Sequence, residues 1–234
     1  MAARPGRSVL SLQGVALADR QFSAHTARLD LELPRGEVAL VQVEDEHDAA
    51  MLVDLCLGLA DPGAGEVRFL GVDWTTRTPR ERFHRRRRIG AVVQTDVWPS
   101  HMTVLESVLV ARAYHFNQPQ AEVIADATEL ARLFGLPGLP VGRRETTPVR
   151  ALVRAACVRG FLGSPDLIVV QDQVLDQSSE LAVPMAQAIS AACDRGATVL
   201  WITASLATQA AQFVQPNHAF RLGDHGLVRV RRSR

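Results

Sequence analysis

The sequence predicts an α/β fold built on a largely parallel sheet with helices on both faces. Three observations carry this. Short, continuous apolar runs recur at residues 37–43 (EVALVQV), 87–94 (RRIGAVVQ), 166–170 and 197–203, as expected of strands buried on both sides. Segments with helical spacing alternate with them, the order that generates parallel pairing. Ahead of the first run, residues 9–35 alternate loosely between apolar and polar, which suits antiparallel strands with one wet face.

In chain order, helical spacing takes over at about 48–59 and closes near Gly58. Residues 61–65 (DPGAG) form a turn, and EVRFLGVDW at 66–74 reads as one returning strand. From 103 to 134 the pattern is helical, broken near Asn117-Gln118-Pro119. Residues 136–148, rich in Gly and Pro, are a loop; a helix follows over 149–162 and the strand 166–170 after it. A helix over 179–195, a strand over 197–203, a short helix from Leu206 and a terminal hairpin around Gly223-Asp224 complete the chain.

At 234 residues the chain is long enough for one sizeable α/β domain, or for a domain carrying a smaller subdomain, and its 47% hydrophobic content is that of a folded protein. No apolar run approaches the roughly 20 residues that span a bilayer, and no signal peptide opens the chain. A formal net charge of +1 gives no reason to expect nucleic-acid binding. Basic residues nonetheless cluster at Arg85–Arg88 and at Arg229, Arg231, Arg232 and Arg234. These are either solvated surface and a frayed tail, or contacts for anionic headgroups or a partner's acidic surface. Cys56, Cys157 and Cys193 are far apart in apolar segments and read as buried small hydrophobes. All 26 basic residues are arginine; the chain contains no lysine.

Seven segments, in this order, carry a resemblance to a known family: PRGEV at 34–38; Gly58-Leu59 with Pro62 and Gly65-Glu66-Val67; RRRIGAVVQ at 86–94; WPSHMTVLESV at 98–108; RLFGLPGLP at 132–140; SPDLIVV at 164–170; and TVLWIT at 198–203. Together they resemble the ATP-binding subunit of an ABC transporter over about 200 residues. The resemblance implies a RecA-like P-loop NTPase core of ABC ATPase type, with an antiparallel β-subdomain and an inserted helical subdomain. Residues 1–234 would then form one domain, with 1–95 and 161–234 as core and β-subdomain and 96–160 as the helical subdomain.

That family needs a glycine-rich loop around the phosphates, a lysine to the β/γ-phosphates and a Ser/Thr on Mg²⁺. Counted back from Gly58-Leu59, the loop falls on residues 43–51, VEDEHDAAM. Val43, Glu46 and Asp48 stand at the glycine positions, Ala49 at the lysine, and Ala50 and Met51 at the Ser/Thr positions. Glu44, Asp45, Glu46 and Asp48 put four carboxylates where a triphosphate would sit, and like charges about 4 Å apart repel by roughly 1 to 4 kcal/mol. The same acidic residues also suit the N-terminus of the following helix.

The other motifs depart similarly. The magnesium-organising Asp and catalytic Glu positions hold Gln171 and Asp172, the signature falls on residues 147–151 (TPVRA), and Ala204-Ser205 stand where a switch histidine is expected. Gln94 keeps its type, Asp172 is either a shorter base or structural, and Phe22 is a candidate for stacking on adenine or for the core. Gln94 and Asp172 are thus remnants, no catalytic, metal or cofactor-binding set is expected, and neither ATP nor Mg²⁺ is an expected ligand.

The segment after Gln94 in this family receives a coupling helix from a membrane permease. Here Trp98, Met102, Val104 and Leu105 would present apolar docking area, or simply pack within the molecule. The resulting expectation is a pseudo-ATPase, peripheral on the cytoplasmic face of the membrane, that docks on a permease and pairs with itself or with another ABC-ATPase-like chain. Weak ATP hydrolysis through a non-standard pocket using Asp172 and Gln94, and a soluble protein-binding adaptor, are the alternatives.

Overall fold

The computed structural model describes residues 8–17, 28–93, 98–115, 119–171, 179–205, 214–223 and 226–230. Its strands are β1 (Ser8–Ala16), β2 (Leu29–Pro34), β3 (Val38–Gln42), β4 (Ala64–Phe69), β5 (Val72–Asp73), β6 (Ile89–Val92), β7 (Leu167–Gln171), β8 (Thr198–Thr203), β9 (His218–Gly223) and β10 (Gly226–Arg229). Its α-helices are α1 (Glu46–Leu57), α2 (Pro79–Arg86), α3 (Val104–His115), α4 (Gln120–Leu133), α5 (Val149–Phe161) and α6 (Ala182–Asp194).

The strands form two sheets. One is antiparallel, in the order β2-β1-β4-β5; the other runs β10-β9-β3-β8-β7-β6, parallel except for the β9–β10 hairpin. The parallel sheet divides the core by simple alternation of side chains. Val38, Leu40, Ile168, Val170, Val199 and Trp201 face one hydrophobic cluster, with α3, α4, α5 and α6. Ala39, Val41, Leu167, Val169, Leu200 and Ile202 face the other, with α1 and the antiparallel sheet. Every residue of β3, β7 and β8 is buried, which explains why these strands read as unbroken apolar runs.

Local chemistry sets several boundaries. Thr78 and Glu81 form a reciprocal capping box that starts α2 with Pro79 in its first turn. Thr103 and Glu106 do the same for α3: the Thr103 N–H donates to Glu106 Oε2 at 2.8 Å and the Glu106 N–H to Thr103 Oγ1 at 3.1 Å. Gly58 ends α1 at φ +65°, and a Cβ there would lie 2.6 Å from the Trp74 ring. Gly90 of β6 and Gly160 of α5 bring strand and helix into backbone contact; a Cβ on Gly90 would overlap the Gly160 carbonyl.

Two sequence expectations need correction. Residues 66–74 are not one strand but the β4–β5 hairpin, turned at Leu70 and Gly71 with φ of 50° and 76°. Helix α2 lies where no helix was expected, because TPRERFHRR offers no apolar face and buries no residue. Of the cysteines, Cys56 and Cys157 are buried, but Cys193 at the end of α6 is only partly so. The helix expected from Leu206 falls outside the described residues. Among the described residues, no helix is long and apolar enough to cross a membrane.

Candidate functional site

Parallel α/β sheets offer ligands the crevice beyond the carboxyl ends of their strands. Here those ends are Gln42 on β3, Thr203 on β8 and Gln171 on β7, on adjacent strands, with Gln42 opposite Thr203 and Gln171 opposite Ile202. All three are buried polar residues. The chain leaves β3 through Val43, whose N–H donates to the Thr203 carbonyl at 2.8 Å, and enters α1 at Glu46.

At this edge the polar groups bond one another. Arg221 Nε on β9 donates to Gln42 Oε1 at 2.9 Å, and Gln42 Nε2 donates to the Ala204 carbonyl at 3.2 Å. Thr203 Oγ1 donates to the Ser205 carbonyl at 2.8 Å and accepts the Ser205 N–H at 3.1 Å. Strand ends and the segment after β8 are thus tied by side-chain bonds around Gln42.

The helix start is equally self-contained. Asp45 adopts extended backbone angles, φ −84° and ψ 125°, and its Oδ1 accepts the Asp48 N–H at 2.9 Å. It is the N-cap of α1, satisfying an amide that helix geometry otherwise leaves without a partner. Glu44, Asp45, Glu46 and His47 are exposed, while Asp48 and Ala49 are buried as α1 packs Leu52, Leu55 and Cys56 into the core. The loop thus presents carboxylates to solvent, favourable at a helix N-terminus. Chemically it is a capped, acidic helix start.

The structure has the fold of an ATP-binding cassette. MJ0796, a bacterial ABC transporter cassette solved as a dimer, superposes with a TM-score of 0.77 at 19% identity, covering 93% of this chain and 96% of that one. Its post-hydrolysis state with ADP and Pi gives 0.79 at 19% identity over the same shares. The cbiO1 protein of Clostridium perfringens, part of the cbiONQ transporter complex, gives 0.73 at 14% identity, over 95% and 87%. In sequence, the Nod factor export ATP-binding protein I of Burkholderia orbicola (strain AU 1054) is 28% identical over 151 residues, 64% of this chain and 47% of that protein. The chain therefore spans about half the length of the curated relative it matches. No family model matches.

Of residues 43–51, where the resemblance expects a phosphate loop, 43–45 connect β3 to α1 and 46–51 form the first turns of α1. The strand ends bring Gln171 and Ala204-Ser205 to the same edge of the sheet. Gln94, Asp172 and Phe22 lie outside the described residues. Pro148 is the N-cap of α5 and gives that helix no side-chain cap bond; Val149, next to it, is 67% exposed.

The docking candidates separate. Trp98, Met102 and Leu105 are all partly buried, Trp98 and Leu105 against the core. Val104 corrects the expectation: it is 1% exposed, because the first turn of α3 turns that side chain into the core, so it offers no docking area. Trp98 carries the Arg159 guanidinium 4.6 Å above its ring centroid. Arg112 on α3, which joins Arg159 along the adjacent cleft, was missed by the sequence reading. One arginine inside a helical pattern gives no local signal; only the packing of α3 beside α5 brings the two together.

Proposed function

We propose that this chain is a non-catalytic subunit of cassette fold that docks on a membrane permease at its cytoplasmic face and scaffolds or regulates the transport complex. The observation that carries the proposal is the Asp45 N-cap. The helix-start amide that a phosphate would meet is bonded to the chain's own carboxylate, 2.9 Å away. Three more carboxylates, on Glu44, Glu46 and Asp48, belong to the same short segment, and Ala49 has no charge to offer a phosphate. No lysine exists anywhere in the chain to replace it. A magnesium triphosphate does not suit these residues, and we derive no hydrolytic step. Likeness to cassettes of which one is a dimer and one is part of a transporter complex supports pairing and membership of a complex; docking beside Trp98 rests on the resemblance of residues 98–108 to the family's permease-facing segment.

Calorimetric titration of the purified chain with millimolar ATP and Mg²⁺ tests the first half: no heat of binding is expected. Saturable binding withdraws the non-catalytic reading. Sedimentation with inverted membrane vesicles of the producing cells tests the second: Trp98→Ala together with Met102→Ala should release the chain.

A further inference from the structure

Helix α2 starts on a complete capping box yet buries no residue. What holds it to the body is polar. Arg82 Nη2 lies 2.8 Å from Asp61 Oδ1, and Arg86 Nη1 donates to the Gly58 carbonyl at 3.1 Å. These two anchors are four residues apart and so share one face. Arg80, Phe83, His84 and Arg87 follow the i, i+3, i+4, i+7 spacing of another face, and all four are exposed. Arg87 is the C-cap and keeps helical angles, φ −55° and ψ −21°. The Phe83 and His84 rings meet edge to face with centroids 5.9 Å apart. The outer face is therefore an aromatic pair flanked along the helix by two guanidinium groups.

Residues 77–88 carry seven arginines and one acid, Glu81. Carboxylates meet some of these arginines: Glu81 pairs with Arg77, Asp61 with Arg82 and Asp166 with Arg88. Positive charge still predominates in the segment after these acids are counted. An extended charged surface within a Debye length responds to that sum, whatever pairs form inside it. A protein partner would need a broad apolar patch at its centre, whereas this face offers one large apolar side chain, Phe83, 42% exposed on a convex helix. An anionic bilayer needs neither a walled pocket nor one-to-one pairing. Clustered arginines attract its headgroups, and an aromatic ring settles at their level.

We propose that the outer face of α2 rests on a bilayer surface of anionic lipids, with Arg80 and Arg87 at the headgroup phosphates and Phe83 inserted between them. Arginine suits the role, since its planar fork matches phosphate oxygens through two parallel N–H bonds. The contact is with lipid itself, so it stands independently of docking on a permease.

The test uses the full purified chain and protein-free vesicles, made of phosphatidylcholine alone or of phosphatidylcholine with phosphatidylglycerol. Co-sedimentation should show binding to the anionic vesicles only. That binding should weaken between about 0.1 and 1 M salt, as the Debye length falls from about 10 to about 3 Å. Arg80→Gln with Arg87→Gln should weaken it by about tenfold or more with the urea midpoint unchanged, while Arg80→Lys with Arg87→Lys should keep most of it. The emission that Phe83→Trp adds to the wild-type signal should be quenched by lipids brominated on their acyl chains. Binding to neither vesicle, equal binding to both, or binding that the paired Gln substitutions leave unchanged overturns the inference. None of these results bears on permease docking, which the Trp98 and Met102 substitutions test on native membranes.

Discussion

Asp45 Oδ1 accepts the Asp48 N–H at 2.9 Å and so caps α1 from within the chain, at the corner where a parallel sheet presents its strand ends. One side chain thereby stabilises the helix and occupies the amide of its third residue. Asp45→Ala should cost about 1 kcal/mol of stability, the usual loss for an N-cap. It should not create ATP binding, because Glu44, Glu46 and Asp48 remain and no lysine appears. Urea unfolding paired with nucleotide titration of the variant checks both parts.

The contact between Gly90 and Gly160 sets how closely α5 approaches the edge strand β6. A methyl group on Gly90 would collide with the Gly160 carbonyl, which is backbone and cannot rotate aside. Gly90→Ala should therefore destabilise the fold by about 1–3 kcal/mol, the usual cost of overpacking. A shift of the urea midpoint without a change in slope is the expected result.

Much of this fold was legible because sequence period and burial coincide. The strands β7 and β8 announce themselves as LIVV and TVLWIT because both of their faces are covered. Helix α2 was missed for the opposite reason: it buries nothing, and its one signal, Thr78-Pro79 followed by Glu81, lies in the cap. The β4–β5 turn was hidden by Leu70, a residue type that seldom adopts positive φ. At the strand edge, the acidic loop could be read, including its suitability as a helix cap. The bonds of Gln42 to Arg221 and to Ala204 join residues distant in sequence, and no local pattern encodes them.

Burial raises the thiol pKa of Cys56 and of Cys157 to about 12, the latter despite an opposing effect of Arg154. Neither forms thiolate at neutral pH, and thiolate is the reactive species. In the native chain, Cys193 alone should react with an aromatic disulfide reagent at pH 8, slowly, since burial and the Asp194 charge also raise its pKa. All three should react at once in denaturant. Prompt labelling of Cys56 or Cys157 in the folded protein would contradict the packing of α1 or α5.

Asp166 joins three parts of the parallel sheet where its strands begin. Its carboxylate accepts from Arg35 at 2.8 Å and from Arg88 at 2.7 Å, its N–H donates to the Arg88 carbonyl, and its own carbonyl accepts the Thr198 N–H. Burial alone would raise its pKa, but the hydrogen bonds and charges of the two arginines outweigh that and hold it below the ordinary carboxylate value. A carboxylate whose folded pKa is depressed stabilises the fold above its unfolded pKa, about 3.9, and loses that contribution as pH falls through the folded value. Both arginines are about half exposed, so solvent screening limits the contribution to about 1 kcal/mol. Asp166→Asn should therefore lower stability by that amount at pH 7 and at pH 5. Its deficit should shrink below about pH 4 and disappear once the wild-type carboxyl is protonated. Urea midpoints of the two proteins across pH 7 to 3 decide it: a deficit that stays constant with pH would mean that Asp166 acts through shape and neutral hydrogen bonding, with no part played by its charge.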